Sequence, residues 1–330
     1  MFPTSRAVTA LPVSEALPEL LRALAGAGRA VLQAPPGAGK TTVVPLALLD
    51  APWLHGRRVL MLEPRRLATR AAARRMSLTL GESVGTTVGF RVRGESRTGA
   101  ATRIEVITEG ILTRMLLDDP TLDGVGLVIF DEFHERSVHA DLGLALALHS
   151  RDVLRPDLRV LVMSATLDGQ SVASLLGDAP IVTSEGRMFP VERRYLPPRA
   201  GARAEESVAA AIRQALARDE GSVLAFLPGA AEIHRCAGIL ARAAVPDDVM
   251  VIPLYGDLSL QEQDAAIAPA PAGRRKVVLA TSIAETSLTI EDVRIIVDGG
   301  LSRIPRYSPR AGMSRLETVR VSRSSAEQRA

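Results

Sequence analysis

A glycine-rich stretch early in the chain has the residue types that bind a phosphate chain. It consists of Ala34-Pro35-Pro36-Gly37-Ala38-Gly39-Lys40-Thr41-Thr42 and follows an apolar run, residues 30–32. Such a turn between a strand and a helix points backbone N–H groups and the helix dipole at an anion. Lys40 would reach the β- and γ-phosphates, and the Thr41 hydroxyl would bind Mg²⁺. We expect Lys40 to lie in a solvent-facing loop.

A second polar stretch, Asp131-Glu132-Phe133-His134, ends another apolar run, residues 127–130. Asp131 would leave the sheet edge as the second magnesium anchor. One such element can arise by chance, and the first position of the usual glycine pattern is Ala34 here. Both elements together, in this order and each after an apolar run, argue strongly against an ordinary tight turn. The sequence therefore predicts a site for a nucleoside triphosphate and Mg²⁺.

Length and composition set the class of protein. A chain of 330 residues exceeds what one core usually holds, so two domains are expected. No apolar run approaches the ~18 to 20 residues of a membrane span, and the N-terminus does not resemble a signal peptide. The single cysteine, Cys236, excludes an internal disulfide and a cysteine-cluster metal site, and we expect it to be a small buried residue. A reducing cytoplasm fits these features.

The net charge of +3 says little about partners, but arginine is unevenly distributed. Residues 57–114 contain twelve Arg and five Glu, with no Lys or Asp, and the only lysines of the chain are Lys40 and Lys276. A codon-level bias towards Arg explains most of this ratio. It does not explain a lysine in the phosphate loop, where a compact, mobile charge suits the γ-phosphate better than a planar guanidinium.

Short apolar runs alternate with longer segments of helical period, which predicts an α/β fold with mainly parallel sheets flanked by helices. In the first half we predict strands over residues 30–33, 59–63, 104–108, 127–130 and 160–164, and helices over 41–49, 66–80, 110–118 and 140–150. In the second half we predict helices over 204–218 and 230–243, and strands over 222–227, 249–254, 276–280 and 293–298. The alternation breaks near residue 186, the expected domain boundary, and residues 300–321 are predicted to form a β-hairpin.

Polar stretches follow the predicted strands in both halves, where open parallel sheets bind ligands. They are Glu63-Pro64-Arg65-Arg66, Thr108-Glu109-Gly110, Ser164-Ala165-Thr166, Leu254-Tyr255-Gly256-Asp257 and Thr281-Ser282-Ile283-Ala284-Glu285-Thr286. With the two nucleotide motifs, they make the chain resemble superfamily-2 DEAH/RHA-type ATP-dependent helicases. The form Asp131-Glu132-Phe133-His134, followed by Glu135-Arg136-Ser137, favours the bacterial HrpB group of that family.

The resemblance implies two tandem RecA-like P-loop domains, an ATP-binding domain over residues 1–185 and a C-terminal motor domain over 186–330. ATP would bind between them, and single-stranded nucleic acid would cross both. By matching position, Asp131 anchors Mg²⁺, Glu132 is the general base, and Ser164 and Thr166 couple nucleotide state to domain movement. The phosphates are held by Pro36, Gly37, Ala38, Gly39, Lys40, Thr41 and Thr42. A polar link to the second domain is a better assignment for His134 than a metal ligand.

The resemblance also assigns contacts to the sugar-phosphate backbone, which fix register without reading bases. They come from Arg65, Arg66, Arg93 (in a turn) and Thr108 in the first domain, and from Gly256, Thr281 and Ser282 in the second. Ser282 replaces the Asn usual in the family, so one hydrogen bond differs. Arg70, Arg74 and Arg97 are expected on solvated helix faces. With 3% aromatic residues, a base-stacking platform is not expected, so basic residues should dominate binding.

The nucleotide base has weaker expected contacts. The family's positions correspond to Thr289 and Glu291 from the second domain, and to Arg75 on one face of the base. Ile267 occupies the position of the family's stacking aromatic ring. Apolar packing discriminates poorly among bases, so a relaxed choice among nucleoside triphosphates is expected.

Residues 326–330 resemble the start of the family's last ATPase motif, in which Gln328 would help place the attacking water. The motif's later arginines would follow Ala330, so we expect this chain to hydrolyse nucleotide slowly on its own. The main hypothesis is an NTP-hydrolysing helicase or translocase that uses Mg²⁺ and moves 3′-to-5′ on RNA or single-stranded DNA. A nucleotide-gated clamp on nucleic acid or ribonucleoprotein is the alternative, while a metabolic kinase would not need the second set of motifs. RNA is the expected partner, with no membrane, and no protein activator can be named.

Overall fold

The structure is a computed structural model that describes residues 11–165, 169–185, 190–197, 201–243, 245–285, 290 and 292–329. The chain divides into two compact units, Met1–Phe189 and Pro190–Ala330. The boundary predicted near residue 186 falls among residues outside this description. None of the described helices is both long and apolar enough to cross a membrane.

In the first unit the described residues form an eight-stranded sheet in the order β4-β3-β5-β2-β6-β7-β1-β8. The strands are β1 (Arg29–Gln33), β2 (Arg58–Glu63), β3 (Val88–Val92), β4 (Glu95–Arg97), β5 (Ile104–Thr108), β6 (Val125–Phe130), β7 (Arg159–Ser164) and β8 (Ile181–Thr183). All neighbours pair in parallel except the edge strand β4, which pairs antiparallel with β3. Every residue of the central strand β6 is buried, as expected for a parallel strand covered on both faces.

The helices of the first unit cover both faces of this sheet. They are α1 (Val13–Gly26), α2 (Lys40–Leu48), α3 (Arg66–Leu80), α4 (Glu109–Asp118), α5 (Val138–Val153) and α6 (Gly169–Leu175). Alternate residues of β2 enter opposite cores because side chains of a strand alternate between faces. Val59 and Met61 pack in the core that contains residues of α1, α2 and α3, whereas Leu60 and Leu62 pack in the core that contains residues of α4, α5 and α6.

The described residues of the second unit form a four-stranded parallel sheet in the order β10-β11-β9-β12 and a separate hairpin. The strands are β9 (Ser222–Phe226), β10 (Val249–Leu254), β11 (Arg275–Ala280), β12 (Val293–Asp298), β13 (Leu301–Ser308) and β14 (Met313–Arg320). The helices are α7 (Ala204–Arg218), α8 (Ala230–Arg242), α9 (Leu260–Ile267) and α10 (Arg323–Arg329).

The structure confirms the predicted α/β class and the late hairpin, in which Leu301 pairs with Arg320 and Ser308 with Met313. The predicted elements are all present, and the ends differ by at most three residues. The sequence did not predict α1, β3, β4, α6, β8, α9 and α10. Several of these are short or lie at an edge, so tertiary packing rather than local periodicity defines them.

Candidate functional site

The turn between β1 and α2 has the backbone geometry of a phosphate loop. Gly37 and Gly39 have positive φ angles of 76° and 96°, which glycine adopts without strain. A Cβ at Gly39 would also lie 2.9 Å from Leu11 Cδ1, so the Leu11 side chain would have to shift. The first N–H groups of α2 have no acceptor within the helix and carry the positive end of its dipole. Pro36 and Gly37 are exposed at this turn, whereas Ala38 is buried.

Lys40 does not face solvent, so that expectation is wrong. It is the first residue of α2 and only 5% exposed. Its Nζ donates hydrogen bonds to the carbonyl oxygens of Ala34 and Pro35, the latter at 3.2 Å. The ammonium group therefore lies against the carbonyls of its own loop, and it would exchange these acceptors for phosphate oxygens when nucleotide binds.

The two predicted magnesium anchors meet directly. Thr41 Oγ1 donates to Asp131 Oδ2 at 2.6 Å, although 90 positions separate the residues. The other carboxylate oxygen, Oδ1, accepts from the Glu132 backbone N–H at 2.8 Å, which fixes the Asp131 side chain. Neighbouring ligands of octahedral Mg²⁺ at 2.0–2.1 Å lie roughly 3 Å apart. The pair is thus an oxygen donor set that fits Mg²⁺ after a separation of a few tenths of an ångström.

The residues after Asp131 are held in unusual conformations. Glu132 has a φ of +49°, which is uncommon for a non-glycine residue and occurs often at functional sites. His134 Nδ1 accepts a hydrogen bond from the Ala165 N–H at 3.3 Å, and burial lowers the His134 pKa. A neutral imidazole in this tautomer links the Asp131 segment to the residue after Ser164. The predicted link from His134 to the second domain stays a prediction.

Ser164 ends β7 and is buried, with its carbonyl accepting from the Ala34 N–H at 3.1 Å. This bond ties the segment after β7 to the beginning of the phosphate loop. Thr166 lies outside the described residues, so its predicted role stays untested.

Glu63 is a residue of this site that sequence reasoning missed. It ends β2 and is fully buried, and as a carboxylate it accepts no hydrogen bond from the described residues. The Asp131 carboxyl lies within hydrogen-bonding reach, so a protonated Glu63 would donate to it. Burial, and then the negative charges of Asp131 and Glu132, raise the pKa of Glu63 well above its usual range. Burial also raises the pKa of Asp131. The only signal in the sequence was its position at the end of a strand next to Arg65 and Arg66.

The predicted nucleic-acid residues of the first unit also lie beyond carboxyl ends of strands. Arg65 precedes α3 and forms an ion pair with Glu135 at 3.1 Å, whereas Arg66 is exposed. Arg93 is exposed in the turn between β3 and β4, and Thr108 ends β5 directly before α4. The four residues thus follow or end β2, β3 and β5, which are neighbours in the sheet.

Two further arginines of α3 differ in exposure. Arg75, the predicted base contact, is exposed. Arg70 is not on a solvated face, since its side chain is 12% exposed and pairs with Glu95 at 3.3 Å. That expectation is wrong for Arg70, because the β3–β4 hairpin, which the sequence did not predict, carries Glu95 to it. Arg74 is exposed on α3 as expected, whereas Arg97 is exposed but lies in strand β4 and not on a helix.

In the second unit, three predicted nucleic-acid residues follow two adjacent strands. Gly256 comes after β10, and Thr281 and Ser282 come after β11. The Thr281 N–H donates to Leu254 O at 3.1 Å, which brings the two segments together. Ile267 ends α9 and Gln328 lies in α10, while Thr289 and Glu291 lie outside the described residues.

Arg329 is the second residue that sequence reasoning missed. Its side chain is 1% exposed and pairs with Glu285 at 2.9 Å and Asp298 at 2.7 Å. The guanidinium also lies 4.5 Å from the centroid of the Phe226 ring. Arg329 therefore joins α10 to the ends of β9 and β12 and to Glu285, and so positions the neighbouring Gln328.

Comparison with known families agrees with this arrangement. Residues 14–175 match the DEAD/DEAH box helicase family, and residues 207–329 match the helicase conserved C-terminal domain. The chain belongs to the DEAD/DEAH box helicases. It is 54% identical to the ATP-dependent RNA helicase HrpB of Escherichia coli (strain K12) over 323 residues, which are 98% of this chain and 40% of that protein. It is 37% identical to the probable ATP-dependent RNA helicase DHX34 of Mus musculus over 97% of this chain and 29% of that protein.

Solved structures show the same likeness. The crystal structure of the Escherichia coli DEAH/RHA helicase HrpB superposes with a TM-score of 0.89 at 54% identity, covering 97% of this chain and 41% of that one. A structure of the E. coli DExH-box NTPase HrpB gives a TM-score of 0.81 at 53% identity, covering 98% and 40%. The chain thus spans about two fifths of the length of HrpB and 29% of the length of DHX34.

Glu63 should make the stability of the first unit depend on pH. The pKa of Glu63 is higher in the folded than in the unfolded protein. Its contribution to the free energy of unfolding is therefore complete below the unfolded pKa of about 4.3, and it is lost as the pH rises towards the pKa in the folded protein. We expect Glu63→Gln to stabilise the first unit at pH 8 and to have a smaller effect at pH 5. Urea unfolding in EDTA, followed by fluorescence of the sole tryptophan, Trp53, measures this. Exposed Glu19→Gln is the control, and an equal effect of Glu63→Gln at both pH values would contradict the prediction.

Removal of Arg329 should destabilise the second unit. Arg329→Ala leaves Glu285 and Asp298 without their shared partner, which costs about 3 kcal/mol for a buried pair with one partly exposed member. Amide hydrogen exchange of β9, β11 and β12 should accelerate accordingly. Arg323→Ala, an exposed change at the start of the same helix, should leave exchange unaltered. Equal protection in both variants would show that this ion-pair cluster does not stabilise the sheet.

Proposed function

We propose that this chain is the motor core of a helicase that hydrolyses ATP, or another nucleoside triphosphate, to move 3′-to-5′ along single-stranded nucleic acid. Residues 1–185 form its ATP-binding domain and residues 186–330 its C-terminal motor domain. The observation that carries the proposal is the Thr41–Asp131 contact beside Lys40 at the phosphate loop. It places an ammonium group, a hydroxyl and a carboxylate at one helix N-terminus, as nucleoside triphosphate binding requires.

In this proposal the nucleotide phosphates lie against Pro36 and on the N–H groups of residues 37–42, and Lys40 neutralises the β- and γ-oxygens. Thr41 and Asp131 hold Mg²⁺, which supplies charge neutralisation for the transferred phosphoryl group. Glu132 accepts the proton of the attacking water, and Gln328 helps to orient that water. Ser164 and Thr166 couple the nucleotide state to domain movement. The nucleotide base is contacted, with little selectivity among bases, by Arg75, Ile267, Thr289 and Glu291.

RNA is the proposed nucleic acid, since the relatives HrpB and DHX34 are named RNA helicases. Arg65, Arg66, Arg93 and Thr108 would hold the backbone from the first domain, and Gly256, Thr281 and Ser282 from the second. The Arg65–Glu135 pair supports a coupling of the two sites, because Glu135 lies three residues after Glu132. A cytoplasmic location fits these assignments. Direction is tested with labelled duplexes: one with a 3′ tail should be separated, and one with a 5′ tail should not.

Two substitutions should separate phosphate binding from magnesium binding. Lys40→Ala removes a charged donor to phosphate, so nucleotide affinity should fall about 10- to 100-fold with or without Mg²⁺. Thr41→Val is isosteric and removes only the hydroxyl, so affinity should fall in Mg²⁺ but not in EDTA. Titration with a fluorescent ATP analogue measures both.

Glu132→Gln is the matched control for this titration, because it removes the proposed base and keeps the phosphate and metal contacts. It should bind the analogue as the parent protein does and lose whatever hydrolysis the parent shows. Parent-like binding by Lys40→Ala would refute the phosphate-loop assignment. A weakened Thr41→Val variant in EDTA would show that Thr41 acts on the fold rather than on the metal.

Substitution of Arg65 and Arg66 should weaken binding to single-stranded RNA of any sequence. Each lost phosphate contact lowers the slope of log affinity against log salt by roughly 0.7 on single strands, so the double alanine variant should lose up to about 1.4. Fluorescence anisotropy with labelled RNA, at salt concentrations from about 50 to 200 mM, measures this slope. Arg114→Ala is the control, since that side chain is 85% exposed on α4. An unchanged slope in the double variant would place both arginines outside the nucleic-acid path.

A further inference from the structure

A cluster of positively charged side chains lies at the amino-terminal ends of the strands of the first sheet, opposite the phosphate loop. A cavity of about 500 Å³ opens where β1, β2 and β7 begin, and it is lined by Gly28, Trp53, His55, Arg57, Arg151 and Arg159 among others. The phosphate loop, Glu63 and Asp131 all follow the carboxyl ends of these strands or of β6. Strands of five or six residues separate the two edges by roughly 17–20 Å. This cavity is therefore distinct from the nucleotide site.

The lining of the cavity is strongly basic. Three arginines face one carboxylate, Asp157, so the lining has a net charge of +2 with His55 neutral. Asp157 is also shared: it pairs with Arg57, and with Arg155 at 2.9 Å. Asp152, which is not part of the lining, pairs with Arg151. Arg57, Arg151, Arg155 and Arg159 therefore share two carboxylates, which leaves an excess of positive charge.

The arginines of the cavity donate most of their hydrogen bonds to neutral backbone carbonyls. Arg159 donates to the backbone carbonyls of Leu24 at 3.0 Å and Asp157 at 2.8 Å, and it pairs with no carboxylate in the described part of the chain. Carbonyl oxygens satisfy donors but leave the positive charge in place. Arg57 and Arg151 lie close enough to Arg159 that their charges, after burial, lower its pKa.

The protein does not satisfy every donor of these arginines. The Nε of Arg151 is buried and has no hydrogen-bond partner among the described residues. Arg151 otherwise donates to Ala27 O at 3.2 Å and pairs with Asp152 at 3.0 Å. The Arg159 guanidinium lies 4.7 Å from the centroid of the Trp53 ring, which holds it against one wall of the cavity. Planar guanidinium groups fixed in this way match the geometry of phosphate oxygens.

We propose that this cavity is a binding site for a compact polyphosphate anion, of the size of pyrophosphate or the diphosphate of a nucleotide. The volume exceeds that of a single phosphate ion, and the net positive charge suits a multiply charged anion. Nothing in the nucleotide-binding assignment uses this site. Its ligand would bind to the amino-terminal edge of the sheet whose carboxyl-terminal edge holds the phosphate loop.

Trp53 is the sole tryptophan of the chain and lines the cavity, so its fluorescence reports occupancy directly. The test titrates pyrophosphate without Mg²⁺ into the Lys40→Ala variant, in which phosphate-loop binding is weakened, at constant ionic strength set with sodium chloride. We expect a saturable change in Trp53 emission. Arg151→Gln should weaken the apparent affinity about tenfold, because it removes one charged donor, and Arg151→Lys should recover part of it.

Arg22→Gln is the matched control, since it removes one positive charge from an exposed position on α1 outside the cavity. It should leave the titration unchanged. A response that sodium chloride alone reproduces, or that Arg22→Gln and Arg151→Gln alter equally, would overturn the proposal. So would a response to a 20-nucleotide single-stranded RNA with none to pyrophosphate, since the site would then hold a polynucleotide backbone instead.

Discussion

The first unit depends on how acidic groups are accommodated at one buried edge of its sheet. Glu63 is fully buried and Asp131 is 4% exposed, and both end or follow neighbouring parallel strands. An isolated buried carboxylate is costly unless it is protonated, hydrogen-bonded or paired with a cation. Here Asp131 receives hydrogen bonds from Thr41 and from the Glu132 N–H, whereas Glu63 receives none from the described residues. A cation between the phosphate loop and β6 would relieve that cost, which is the physical reason the edge suits magnesium and a phosphate chain together.

The same sheet separates two kinds of charge. Its carboxyl-terminal edge gathers acidic side chains around Lys40, and its amino-terminal edge gathers Arg57, Arg151 and Arg159 around Asp157. At the amino-terminal edge the arginines also bond to carbonyls at and just beyond the C-terminal end of α1, such as Leu24 O and Ala27 O. Those bonds stabilise the end of the helix without neutralising the guanidinium charge. The same arginines that stabilise the amino-terminal edge of the sheet therefore make the cavity basic.

The second unit uses an ion-pair cluster in an equivalent place. Arg329 bridges Glu285 and Asp298 over the face of Phe226, where the strands of its sheet end. A buried arginine between two carboxylates contributes little net stability, but loss of one partner is expensive. The cluster therefore holds α10, and with it Gln328, in one position relative to the segments after β9, β11 and β12. Both units thus position their candidate catalytic residues from the carboxyl ends of parallel strands.

The sequence by itself determined the class of fold and named most residues of the candidate nucleotide site. Apolar runs and helical periods are local, so they predicted the central strands and helices, and Gly37, Gly39, Lys40, Thr41 and Asp131 are recognisable from residue type and spacing. Only the tertiary structure decided that Lys40 is buried against its own loop, that Arg70 meets Glu95, and that the Glu63 carboxylate accepts no hydrogen bond from the described residues. The tertiary structure also brought Arg329 to Glu285 and Asp298, and it brought together the arginines that line the basic cavity. These groups come from segments far apart in the chain, brought together by strand order and crossover connections. Burial and charge pairing depend on that assembly, so no local pattern could have specified them.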